Sequence, residues 1–410
     1  MTSFKEIKDY SRFSIKSLFK RKIRSWLTII GIFIGIAAIV ALISLGQGLQ
    51  DAITSQFELL GTDKVIVTPG GPFGNLGISP ESTKLTKDEI DSIKKTKGVQ
   101  FAAPSAIRMG RIEFDDKQIF TYVWGIALDE SAVVYEAMGH LNVESGRRIR
   151  ESDKFKAQAG YLFAHTTDFF SKEIRHGDSI KIESRDFEIV GITRKLGNRQ
   201  DDTIISIPID TFEEIYETRG KFDYVIVQVT DGSDVNKIAD DIAKALRKKR
   251  DEEDGRETFN VQTSEELIES FKTILSMVQA VLIAIAAISL MVGGVGIMNT
   301  MYTSVLERTR EIGIMKAIGA KNSQILLLFL IEAGLIGIVG GIIGIVLGIL
   351  LSNIAVIFVS QALGTDLIRA SFSFVLVVGA LGFSFLVGCI SGILPAMQAS
   401  KLAPVDALRK

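Results

Sequence analysis

Trp26-Leu-Thr-Ile-Ile-Gly-Ile-Phe-Ile-Gly-Ile-Ala-Ala-Ile-Val-Ala-Leu-Ile-Ser-Leu45 carries no charge, and the uncharged run around it extends from Ser25 to Gln50. At about 1.5 Å of rise per residue, some 20 apolar residues cover a hydrocarbon core of roughly 30 Å. A signal peptide would have a shorter apolar region, about 7 to 15 residues, ending in a small-residue cleavage site. Here the run passes into Gly46-Gln-Gly-Leu-Gln-Asp-Ala-Ile-Thr-Ser-Gln-Phe57, which reads as the same helix continuing into water. Residues 25–60 are therefore expected to form an uncleaved transmembrane helix and a stalk.

Three further apolar runs lie at the far end: Ile274 to Met298, Ile325 to Phe358, and Phe372 to Leu394, the last bounded by Arg369 and Lys401. They place a stalk and second span at 264–300, a third span at 323–358 and a fourth at 370–395. Composition agrees with such a division. The 410 residues are 47% hydrophobic and 23% charged, with a mean hydropathy of +0.28. That combination requires separate apolar and polar blocks. Glycines recur at four-residue spacing, Gly31 and Gly35, then Gly340, Gly344 and Gly348, then Gly388 and Gly392. Small residues so spaced let helices approach closely in lipid, against sibling helices or a second subunit; sibling packing is favoured for the third span.

Orientation follows from basic residues near the spans. Residues 1–24 hold Lys5, Lys8, Arg12, Lys16, Lys20, Arg21, Lys22 and Arg24 against only Glu6 and Asp9, interleaved with apolar residues as in a cytoplasmic amphipathic helix at a membrane surface. The segment 301–322 holds Arg308, Arg310, Lys316 and Lys321, and the tail 396–410 holds Lys401, Arg409 and Lys410. The connection from Ser360 to Ser371 has only Asp366 and Arg369. With four spans the basic segments share one side, so both termini are expected in the cytoplasm of a multi-pass plasma-membrane protein, and about 51–270 outside.

That block alternates strand-like and helix-like stretches. Asp63 to Thr68, Val99 to Ile107, Arg111 to Phe114 and Ile119 to Ile126 read as strands, and Leu85 to Lys97 as a helix with a Thr86/Glu89 capping signal. The expected organisation is an α+β lobe at 61–149 and 213–263, interrupted by a mostly β lobe at 150–212. The fold class is thus an α-helical membrane protein with four transmembrane helices plus an α+β two-lobed extracytoplasmic domain between spans 1 and 2.

Catalytic chemistry is hard to find. His140, His165 and His176 match no zinc spacing and read as loop or surface residues, and Cys389 has no partner for a disulfide. Asp115-Asp116, Asp201-Asp202 and Asp251-Glu-Glu-Asp254 read as solvated loop tips. A net charge of −1 and the lack of an aromatic and basic stripe argue against a nucleic-acid partner. Glu332, in the third span, is expected to reach the interface or bond a neighbouring helix rather than couple protons.

The most specific segment is Glu307-Arg-Thr-Arg-Glu-Ile-Gly-Ile-Met-Lys-Ala-Ile-Gly-Ala320. Glu307, Arg308, Arg310 and Glu311 form a charged knuckle. Ile312, Met315 and Ile318 give an apolar stripe at three-residue steps, closed by Gly319 as a C-cap. A short amphipathic helix of this kind suits a groove of another protein, or merely hugs the membrane; composition leaves both open. The segment resembles the coupling-helix signature of the MacB/FtsX superfamily of ABC permeases. Lys22-Ile-Arg-Ser-Trp-Leu-Thr-Ile-Ile-Gly-Ile-Phe-Ile-Gly-Ile-Ala-Ala38, Ser44-Leu-Gly-Gln-Gly-Leu49 and Leu394-Pro-Ala-Met-Gln-Ala-Ser-Lys-Leu-Ala-Pro-Val-Asp-Ala-Leu-Arg409 resemble the family's first span, stalk and tail.

The resemblance implies that Glu307, Arg308, Thr309, Arg310, Glu311, Ile312, Gly313, Met315, Lys316, Ile318 and Gly319 couple the chain to an ABC ATPase. The 410-residue sequence contains no Gly-x-x-x-x-Gly-Lys-Ser/Thr phosphate loop, so ATP and its magnesium are expected on a separate subunit, with no cofactor on this chain. The resemblance further implies two permease copies, as a homodimer, with two ATPase subunits, and an extracytoplasmic adaptor as a further partner. The expected role is export or extraction of a hydrophobic compound, peptide or lipid-linked substrate. The alternative is an FtsX-like relay that controls a cell-surface protein without transport.

Topology is the first test. Cysteine labelling in intact cells should modify position 233 from outside and positions 309 and 410 only after permeabilisation; labelling of Ser233→Cys solely from the cytoplasm overturns the arrangement.

Overall fold

The computed structural model describes residues 22–70, 84–363 and 369–404. The expected basic helix lies, as far as residue 21, outside the described residues; so do Gly74, Gly77, Asp366, Arg409 and Lys410. The chain divides into two compact units, a helical one and one formed by residues 52–272.

Among the described residues, four helices are long and apolar enough to cross a bilayer. They are α1 (Lys22–Leu60) and three from the second half of the chain, numbered below in chain order: α7 (Ser264–Glu307), α9 (Asn322–Leu363) and α10 (Phe374–Lys401). Their outward surfaces are oily: Ile288, Met291 and Val292 are 63%, 71% and 67% exposed. Such a surface is ruinous in water and ordinary against acyl chains. Small residues bring the helices together. A Cβ on Gly31 would lie 2.7 Å from the Cα of Gly293, which joins α1 to α7. Cβ atoms on Gly344 and Gly348 would strike the Phe33 and Ala37 carbonyl oxygens at 2.8 and 2.9 Å, which joins α9 to α1. One on Gly388 would lie 2.6 Å from the Ala333 carbonyl oxygen, which joins α10 to α9. These glycines therefore face sibling helices, as expected for the third span. Ile32, Ile36, Val40, Leu290, Ile297, Phe329 and Ile336 fill the spaces between them.

The other unit holds β1 (Lys64–Pro69), β2 (Leu85–Thr86), α2 (Lys87–Lys94), β3 (Val99–Phe114), β4 (Lys117–Ile126), α3 (Ala132–Ala137), β5 (Val143–Gly146), β6 (Lys156–Ala159), β7 (Ser179–Ile182), β8 (Arg185–Thr193), α4 (Arg199–Asp202), β9 (Ile205–Pro208), α5 (Ile209–Tyr216), β10 (Lys221–Phe222), β11 (Tyr224–Val229), α6 (Val235–Arg250) and β12 (Phe259–Thr263). One ten-stranded sheet runs β12-β1-β11-β3-β4-β9-β6-β8-β5, with β7 bridging β3 and β8. The ring β3-β4-β9-β6-β8-β7 closes on itself, so half of the sheet is a six-stranded barrel around Phe163, Phe170, Ile182, Phe187, Ile189 and Phe212. Closure removes open strand edges. Beyond the barrel, α2 and α6 cover β1, β11 and the start of β3 with Ile90, Ile93, Ile238, Ile242 and Leu246. The Thr86 amide donates to Glu89 at 2.7 Å, and Arg250 at the end of α6 donates to the same buried carboxylate at 2.6 Å.

Three expectations change. Val99 to Phe114 is one 16-residue strand, not two. Its first part pairs with β11 and its second with β4 and β7. The sheet is therefore unbroken at residue 150, and β3 and β4 are staves of the same barrel as the strands of 150–212. Asp201 and Asp202 are not a solvated tip: Asp202 is 3% exposed and accepts the amides of Leu196 and Gly197 at 2.7 and 3.1 Å. His140 packs edge-on against Trp124 at 4.7 Å.

Two outcomes follow. Gly388→Ala forces a methyl into the Ala333 carbonyl and should lower the melting temperature of the detergent-solubilised protein, by the equivalent of about 1–3 kcal/mol. Gly382→Ala, at a site with nothing within 4 Å, should not lower it; equal losses would refute this packing. The second concerns acid. Burial and the adjacent Asp202 carboxylate push Asp201 up to about 6. Its unfolded value is about 3.9, so the stabilisation from its protonated form is complete below that and is lost as pH rises through 6. Asp201→Asn should match the parent near pH 4 and exceed it at pH 8 in thermal melts; a gap independent of pH would be the contrary result.

Candidate functional site

Asn299-Thr-Met-Tyr-Thr-Ser-Val-Leu306 contains neither glycine nor proline, and α7 runs through it to Glu307. Residues 301–307, expected in the connecting helix, are therefore about the last two turns of α7. Arg308 then leaves helical geometry at φ −105° and ψ 16°, and α8 (Thr309–Ala317) begins at once. The Thr309 hydroxyl donates to the Val305 and Leu306 carbonyls at 3.1 and 2.9 Å, which satisfies acceptors that the break leaves open. At the far end the Gly319 amide donates to Lys316 and the Ala320 amide to Met315, each at 3.0 Å. Gly319 has φ +103°. This is a Schellman closure with glycine in the left-handed position, the C-cap that the sequence indicates.

Three side chains fix α8 within the helical unit. Ile312 is fully buried among Met301, Val305, Ile325 and Phe329. Arg308 reaches into α9 and donates to both carboxylate oxygens of Glu332 at 3.1 and 3.4 Å, and to Glu311 at 3.2 Å. The side chains of Arg308 and Glu332 are only 12% and 6% exposed. Lys316 donates to the carbonyls of Ser400 and Leu402, at 2.6 and 2.7 Å, where α10 ends. A cation there meets the negative end of the helix dipole.

The expected stripe of Ile312, Met315 and Ile318 is thus corrected. Ile318 is 82% exposed and Ile314 is 49% exposed, while Met315 packs on the bundle core. Six residues turn a helix by about 600°, which leaves Ile312 and Ile318 some 120° apart, whereas residues four apart share a face. Gly313 is buried with Ile312. Glu307, Arg310 and Glu311 are exposed around this face. Arg308 does not belong to that rim. Beside α8 lies an apolar groove of about 280 Å³ lined by Arg308, Glu311, Ile312, Ile314, Met315, Leu328 and Phe329.

Residues 25–245 match the MacB-like periplasmic core domain, and residues 283–404, which contain α8 and all its anchors, match the FtsX-like permease C-terminal domain. An uncharacterized ABC transporter permease of Methanocaldococcus jannaschii is 39% identical over 98% of both chains. The chain belongs to the MacB/FtsX-like family of ABC transporter permeases. The permease is also 32% identical to the macrolide export ATP-binding/permease protein MacB of Bdellovibrio bacteriovorus, over 99% of its own length and 62% of that relative. The periplasmic region of MacB from Actinobacillus actinomycetemcomitans aligns with 54% of the permease and 97% of itself, at 15% identity and a TM-score of 0.43.

Sequence reasoning placed Glu332 near a helix neighbour but did not name Arg308 as its partner. The signal was a lone carboxylate in the 42-residue helix α9, with Arg308 and Arg310 in the connection that precedes it. A carboxylate in such a setting pairs with a cation. The anchoring of Lys316 on main-chain carbonyls leaves no such mark, because every residue has a carbonyl.

Proposed function

We propose that this permease is the membrane subunit of an ATP-driven ABC transporter of the MacB type, which docks its ATPase on the exposed face of α8. The observation that carries the reading is the exposed pair Ile314, on the wall of an apolar groove, and Ile318, four residues on, rimmed by charge on a helix otherwise pinned in place. An apolar pair surrounded by charge on a surface helix suits a protein groove. In this reading both termini and α8 lie in the cytoplasm, the barrel-bearing domain lies outside, and ATP with its magnesium is bound by ATPase subunits on another polypeptide. Two permease copies meet two ATPases, with an extracytoplasmic adaptor on the outer domain.

The spans carry no polar channel in this scheme. Movement passes through α8 and along the helices that continue into the inserted domain, and a hydrophobic compound, peptide or lipid-linked substrate is expelled or extracted outside. The name of the Bdellovibrio relative, a macrolide exporter, supports transport over a pure signal relay.

The test is affinity. Permease in nanodiscs is titrated with ABC ATPases of the same genome, each co-expressed singly to find the one that copurifies. Ile318→Asp and Ile314→Asp should each weaken that complex. The loss of one buried aliphatic side chain, about 1.5–3 kcal/mol, sets a floor of roughly tenfold, and a desolvated charge adds to it. Binding by Ile318→Asp as tight as the parent's would exclude α8 as the docking face.

A further inference from the structure

We propose that α8 is a crossbar fixed to two spans, and that Glu332 of α9 is the positioning residue through which movement of the ATPase enters the membrane. This rests on the docking reading above and adds where the force goes. The two fixings stand at opposite ends of the helix. Arg308 at its start is held by Glu332, and Lys316 at its end is held by the Ser400 and Leu402 carbonyls of α10. Eight residues separate the two cations, about 12 Å along the helix axis. A rod held at one end pivots about it; a rod held at both ends moves with what holds it.

The medium makes the first fixing stiff. Glu332 is 4% exposed and sits between Phe329, Ala333 and Ile336, all buried in the bundle core. Separating its carboxylate from the guanidinium would strand two charges in an apolar surround, which is far costlier than breaking a surface pair. Ile312 supplies a third, apolar attachment to the same core. On the other side α8 meets α7 across Arg308, whose backbone has left the helical region. That junction is a single non-helical residue, the kind of joint where a change of direction is absorbed. The stroke is therefore delivered to α9 and α10 as a body, with any change of direction between α7 and α8 taken up at Arg308.

Glu332 does not reach the ATPase-facing surface, so its role separates from docking. The experiment uses the full permease in nanodiscs with its copurifying ABC ATPase, on a Cys389→Ser background, spin-labelled at Ala317→Cys in α8 and Asn353→Cys in α9. In the parent, the distance distribution should be narrow and the same with and without vanadate-trapped nucleotide. In Glu332→Gln, close in shape to the parent, ATPase yield should be unchanged. The distribution should broaden, and should shift by several Å on trapping. Lys316→Met should behave in the same way when the second label is moved to α10. The charge-exchanged protein Arg308→Glu with Glu332→Arg should recover the narrow distribution, which distinguishes a pair from a general packing defect. Full ATPase yield with a distribution in Glu332→Gln as narrow as the parent's overturns the crossbar alone. Failure of the parent to hold any ATPase overturns the docking reading, and the transmission role with it.

Discussion

Close backbone contact between helices in a solvent that gives them no reason to associate is the constraint on which the helical unit depends. Lipid is as apolar as leucine, so burial of aliphatic side chains does not draw spans together; dispersion at short range and hydrogen bonding must do so. The glycines at the Gly31–Gly293 contact, on α9 against α1, and at the Gly388–Ala333 contact supply that short range. Each removes a Cβ where another helix's backbone stands. The remaining surface can then be as oily as it is, with Met291 and Val292 turned outward.

Within that apolar setting a single ion pair has unusual consequence. Arg308 and Glu332 are worth little as a stabilising contact when set against a well-packed apolar pair, since both must be stripped of water. What they supply is definition: α8 has one place to sit. Lys316 on the end of α10 and Ile312 in the core repeat the instruction at other points along a nine-residue helix. A helix so short has little stability of its own. Its conformation is held by its attachments, and its free face, Ile314 and Ile318, is what the attachments leave over.

The inserted domain solves a different problem with one long strand. β3 serves the helix-covered layer with its first half and the barrel with its second, so the two share a continuous hydrogen-bonded ladder instead of a linker. There is no hinge in that position, and the closed ring of staves leaves no edge of its own to fray.

The sequence by itself determined the four spans, the site of the inserted domain, and the capping of α2 and α8. Each of these is a local property: length of an apolar run, a Thr86/Glu89 spacing, a glycine where a helix must stop. Tertiary structure decided which residues of α8 face outward. Ile312 and Ile318 look alike in a linear stripe, yet one is sealed in the bundle and the other is open, because the angle between them on a helix exceeds any single face. Structure alone likewise joined Arg308 to a carboxylate 24 residues away, Lys316 to carbonyls more than 80 residues away, and both halves of the domain through β3. The reason is common to all three: a side chain's partner across space is chosen by how helices and strands are stacked, and that choice is not written in the spacing of the residues along the chain.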